Sequence, residues 1–169
     1  MFGFYANFPK NIQKLAYYTF SVSSKRLQQT LTEAFYKLNG ETLNLEDITT
    51  PSIPRCIVIF EFGIAENDGF TFLETTEKDA TLESINKKPL QIMDFLCAIR
   101  YYKVQNGRKA ALRFDYYLLR FIFGQGSLEM HVFHERGPMR ISPEEITTFA
   151  IGKINGGFSK RTLKMLKEN

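Results

Sequence analysis

Two glycine-bearing turns divide residues 95–136 into three long segments rich in β-formers, and no other stretch of the chain restricts the fold so tightly. Asn106-Gly107 is a strong hairpin signal, because both central residues of a type I′ turn need φ > 0. Gly124-Gln125-Gly126 supplies a second turn. Three consecutive antiparallel strands follow, and turn geometry then decides which residues face one another.

With Asn106-Gly107 as a two-residue turn, Gln105 faces Arg108, and the core face pairs Tyr101 with Leu112, Ile99 with Phe114, Cys97 with Tyr116 and Phe95 with Leu118. The opposite face pairs Tyr102 with Ala111, Arg100 with Arg113, Ala98 with Asp115 and Leu96 with Tyr117. A three-residue loop at Gly124-Gln125-Gly126 sets Asp115 against Glu135, Tyr117 against Phe133, Leu119 against His131 and Phe121 against Glu129. The expected core is therefore Ile99, Phe114, Tyr116 and Val132. The outer face is basic and aromatic at one end and apolar at the other, through Leu119, Phe121, Phe123 and Phe133.

The flanking segments complete an α+β pattern. Lys14 to Ser21 reads as a strand. From Ser24, Leu27, Leu31, Ala34, Phe35 and Leu38 form one helical stripe that Asn39-Gly40 ends. Residues 41–54 read as a loop. Arg55 to Ala65 and Phe70 to Thr75 flank Asn67-Asp68-Gly69 as a hairpin. Residues 76–91, polar and without a stripe, read as a loop. Ser142, Pro143 and Glu145 form a capping box opening a helix over Ile146, Phe149, Ala150 and Ile154. The expectation is one domain over residues 1–157: an antiparallel sheet of about six strands in β-α-β-β-β-β-β-α order with helices on one face. Residues 158–169 are a basic tail or short helix. Such a sheet is analogous to that of helix-grip ligand carriers, an analogy of fold that assigns no ligand.

Charge is unevenly spread. The net charge is +4, yet residues 41–83 hold ten acids and two bases, so −8 there leaves +12 on the remainder. Such a field favours an anionic partner or polar self-association. Cys56 and Cys97 lie in apolar runs and read as buried thiols. The N-terminal residues lack the pattern of a signal peptide, and no apolar run approaches the ~18 residues of a membrane span. A soluble, cytoplasmic protein without membrane contact is expected.

No Walker loop, nucleophile elbow or dinucleotide fingerprint is present, and no cofactor is expected. Residues 95–136 hold seven basic side chains, three acidic ones and nine aromatics. Basic side chains meet phosphates and aromatics stack bases, so the expected function is non-enzymatic binding of single-stranded DNA or RNA on the sheet. The residues expected to carry it are Arg100, Tyr102, Lys103, Arg108, Lys109, Arg113 and Tyr117. The alternatives are a protein assembly module, dimeric through Leu119, Phe121, Phe123 and Phe133, or a small-ligand carrier. The N-terminal segment, with Phe2, Phe4, Tyr5 and Phe8, competes to cover that apolar end. A less favoured alternative is an acid/base or metal-assisted enzyme using Asp115, Glu135 and His131, with Arg113 placing an anion. His131 and His134 alternate on a strand, which argues against a shared metal.

Overall fold

Asn106 and Gly107 take left-handed φ values of 50° and 74° in the computed structural model, which describes residues 3–51 and 53–166. They close the expected hairpin. Strands β6 (Ile92–Gln105) and β7 (Arg108–Ala111) set Gln105 opposite Arg108 and Tyr102 opposite Ala111, and Leu112 N donates to Tyr101 O at 2.9 Å. There the expected register ends. In β8 (Asp115–Phe123), Asp115 rather than Phe114 stands opposite Ile99, so Arg113 and Phe114 together oppose Arg100 in a bulge. One extra residue transfers everything beyond it to the other face of the sheet. Tyr117, Leu119, Phe121 and Phe123 therefore lie in the main core, and Tyr116 and Leu118 on the outer face.

The second turn also differs by one residue. Gly124 N donates to Ser127 O at 2.8 Å, so the loop is Gln125-Gly126, and β9 (Ser127–Arg136) pairs Leu119 with Val132 and Phe121 with Met130. The two differences cancel for β9, whose Val132 is in the core as expected, and leave β8 inverted. The apolar end of the outer face loses Leu119, Phe121 and Phe123 accordingly, so they cannot form a dimer surface. Phe133 remains, packed under Tyr5, Phe8 and Ile12 together with Phe70, Leu96 and Leu118. The chain covers that end itself; Phe2 lies outside the described residues.

Ten strands form one sheet among the described residues. Its path begins with β1 (Gly3–Phe4), β5 (Gly69–Phe72) and β4 (Cys56–Glu66), continues through β6, β8 and β9, and ends with β2 (Lys14–Thr19) and β10 (Lys164–Met165). β3 (Thr42–Asn44) pairs with β4, and β7 with β6. The sheet is antiparallel and exceeds the expected six strands, because the N-terminal segment, the 41–54 segment and the tail each add a short strand and the bulge divides one expected strand into β7 and β8. The gap between β3 and β5 along β4 is filled by Asn39. Its Oδ1 accepts from Phe62 N at 2.6 Å, and its Nδ2 donates to Leu73 O at 2.8 Å.

Helix α1 (Ser24–Leu38) buries the expected stripe, with Leu27, Leu31 and Phe35 fully enclosed, and Ser23 Oγ accepts from Arg26 N as its cap. Gly40, at φ 75°, ends it. Helix α3 (Pro143–Asn155) opens with both halves of the Ser142–Glu145 capping box. Residues 76–91 correct the expected loop: most of them belong to α2 (Thr75–Lys87), which buries only Ile85. With a single apolar anchor there is no stripe to read, and packing on α1 with a Lys87–Glu83 i,i+4 pair supplies what periodicity does not. The tail is not a helix through its described part; Leu163 is buried and β10 pairs with the end of β2. Among the described residues no helix is long and apolar enough to cross a membrane.

Candidate nucleic-acid interface

Strand alternation divides the seven expected site residues. Arg100, Tyr102 and Lys109 lie on the outer face, whereas Lys103 and Arg108 share the parity of buried Tyr101 and face the helix side. Arg113 is exposed in the bulge beside Arg100. Tyr117 is fully buried; its hydroxyl donates to Ile141 O and its ring stands edge-on to His134 at 5.0 Å. It is a core residue, on the opposite side of the sheet from Arg100 and Tyr102.

The bulge replaces it with others. Phe114 and Tyr116, expected in the core, sit half-buried on the outer face with ring centroids 6.2 Å apart. Arg100 lies 5.9 Å from the Phe114 centroid and Arg136 lies 4.3 Å from that of Tyr116. Tyr102 follows Arg100 by two residues on the same face. The result is a continuous row, Arg100, Phe114, Tyr116, Arg136, in which each cation–π contact contributes ~0.5–1 kcal/mol at such exposure. Glu61 pairs with Arg100. Beyond Tyr116 and Arg136 the row opens into a cleft of about 390 Å³ lined by Tyr5, Phe70, Leu96 and Leu118, and by one acid, Glu135.

A sequence signal for this inversion exists. The expected register put Arg120 on the core face of β8; the observed one turns it outward onto Asp94, with Nε to Oδ1 at 2.8 Å and Nη2 to Oδ2 at 2.9 Å. Tyr5 donates to the same carboxylate, and burial together with that contact pushes its hydroxyl pKa up to about 12. Phe8 lies against the Arg120 guanidinium at 4.9 Å.

The acid/base constellation of Asp115, Glu135 and His131 is not assembled. His131 is on the outer face, bonded to Glu129 at 2.6 Å, and Glu135 is exposed. Asp115 is fully buried on the helix side. Its Oδ1 accepts from His134 Nε2 at 2.8 Å and Met139 N at 2.7 Å; its Oδ2 accepts from Tyr101 Oη at 2.7 Å and Arg140 N at 2.9 Å. Burial, the adjacent Tyr117 and the bond to Asp115 hold the Tyr101 hydroxyl well above its ordinary pKa, so it stays a donor. Asp115 fastens the loop before α3 to the sheet. Among the described residues no group of three or more His, Cys, Asp or Glu side chains is placed to hold a metal ion.

The acidic run 41–83 contains β3, β4 and β5, toward one end of the strand order, and the basic tail pairs with β2 at the other; the bases of β6 lie next to β4, where Glu61 pairs with Arg100. No family model, no curated protein and no solved structure matches this chain.

Proposed function

We propose that the protein binds single-stranded nucleic acid on the outer face of the sheet, along the row Arg100, Phe114, Tyr116 and Arg136, with Tyr102, Lys109 and Arg113 at its margins. The observation that carries this is a pair of half-buried rings, Phe114 and Tyr116, flanked by the guanidinium groups of Arg100 and Arg136 beside a cleft of about 390 Å³. Rings accept any base by stacking, at ~1–3 kcal/mol per base, and the flanking cations hold the backbone. Because Glu61 neutralises Arg100, the phosphate contacts fall to Lys109, Arg113 and Arg136. Three such contacts give a salt slope of about −2 in log K against log[salt].

Fluorescence anisotropy with labelled oligo(dT) and oligo(rU) at two salt concentrations tests this. Tyr116→Ala and Phe114→Ala should each weaken binding about tenfold or more, following the stacking term. Absence of binding at low salt, or full affinity in both variants, refutes the proposal.

A further inference from the structure

A second cleft lies at the basic edge of the sheet, away from this row. The end of β2, the first turn of α1 and the segment between α3 and β10 enclose about 510 Å³ lined by Arg26, Lys160, Arg161 and Lys164, with no aspartate or glutamate. Four other clefts among the described residues match their bases with acids one for one, as Lys37 and Lys153 are matched by Glu33 and Glu41. None of the four bases here forms an ion pair among the described residues. The first turn of α1 contains no acidic residue either.

The cleft is built rather than frayed. Asn155 Oδ1 accepts from Thr162 N at 3.1 Å and Leu163 N at 2.7 Å, and its Nδ2 donates to Leu163 O at 3.2 Å. Leu163 is fully buried and Lys164 pairs with Thr19 in the sheet, so Lys160 and Arg161 are presented by a segment fixed at both ends. Arg26 lies 5.6 Å from the Phe158 ring centroid. Stacking sets the plane of the guanidinium and leaves its N–H edge for oxygen acceptors.

Four uncompensated cations held together repel one another, and a single carboxylate would leave most of that charge unmet. Guanidinium forks beside the hydroxyls of Thr19, Ser21 and Ser159 suit the oxygens of phosphoryl groups. We infer that this cleft binds a small anion carrying two or more phosphoryl groups, at a site separate from the aromatic row.

Isothermal titration of the full chain with inorganic pyrophosphate, and with sulfate as a control for simple charge, provides the test. Pyrophosphate should bind saturably and at least about tenfold tighter than sulfate, and weaken by a further tenfold or more as NaCl rises from about 0.05 to 0.5 M. The Lys160→Ala/Arg161→Ala variant, altered only at exposed positions and checked by circular dichroism, should lose at least about tenfold in affinity, each removed cation lowering the local potential. Tyr116→Ala should bind pyrophosphate as the parent does, which separates this site from the nucleic-acid row. Equal affinity for sulfate, absence of saturable binding, or an unaffected double variant overturns the inference. So does a double variant that weakens oligonucleotide binding while pyrophosphate does not bind, since the basic edge would then belong to the polymer track.

Discussion

Replacing Asp115 with asparagine tests the junction between the sheet and the third helix in a way the hydrogen-bond geometry makes quantitative. Each carboxylate oxygen accepts one backbone N–H, from Met139 or Arg140, and one side-chain donor, His134 or Tyr101. The substituted side-chain amide keeps one oxygen and puts N–H groups where the other stood. The side-chain donor on that oxygen can adapt, since a tyrosine hydroxyl rotates and a histidine changes tautomer. The backbone N–H cannot. One buried amide is therefore left unpaired at ~1–3 kcal/mol, and the bonds that remain lose charge assistance, worth about 0.5–1 kcal/mol each. Relief from burying a charge offsets part of this. The expected loss is about 3 kcal/mol, which at a urea m-value of about 2 kcal/mol/M lowers the midpoint by about 1.5 M. Urea titration followed by far-UV circular dichroism measures it. Tyr101→Phe removes one donor, leaves both backbone bonds intact and should cost less, about 1.5 kcal/mol. A loss under about 1 kcal/mol for Asp115→Asn, with the m-value unchanged, would refute the reasoning, because the stranded N–H would then have found another acceptor.

Gly137, at φ 112°, lies so close to Phe114 O and Asp115 that a Cβ would overlap both; Gly137→Ala should destabilise by several kcal/mol, about 2–4 by the cost of strained backbone and overlap. In a thermal-denaturation double-mutant cycle its effect should be less than additive with Asp115→Asn, since both loosen the same loop. Glu145 is raised by burial, but hydrogen bonds from Thr49, Ser142 and Thr50 outweigh that and leave its pKa below the ordinary 4.5. A lowered folded-state pKa gives stability that is present above the unfolded value and lost as pH falls through the folded one. The parent should thus lose more stability than Glu145→Gln below pH 4.5, and parallel urea midpoints would contradict it.

Where local chemistry decides structure, the chain was legible: the Asn106-Gly107 turn, the stripe of the first helix, and the Ser142–Glu145 box all stand as read. Register was not, because a bulge has no signature of its own. Arg113 and Phe114 are ordinary strand residues, and only the conflict of placing Arg120 in a core marks the extra position. The same inversion governs the candidate site. Arg100, Tyr102, Lys109 and Arg113 could be named from composition, whereas Phe114 and Tyr116 required knowing which way the eighth strand faces, and Arg136 a second register shift in the ninth, where Tyr116 pairs with Arg136 but Tyr117 with His134. The second helix stayed hidden for a different reason, since one buried isoleucine leaves no period to detect. Cys56 and Cys97 are buried as expected, and burial raises both thiols.

The Asn39 amide that fills the gap beside the fourth strand also bears on solubility. Cys56–Ala65 is an apolar, β-prone run interrupted by one charge, Glu61, the composition from which cross-β aggregates are made. An edge of such a strand left open would template a second molecule. The short pairings with β3 and β5 on either side, and one side-chain amide between them, close that edge. A single asparagine thus performs part of the work of a missing strand.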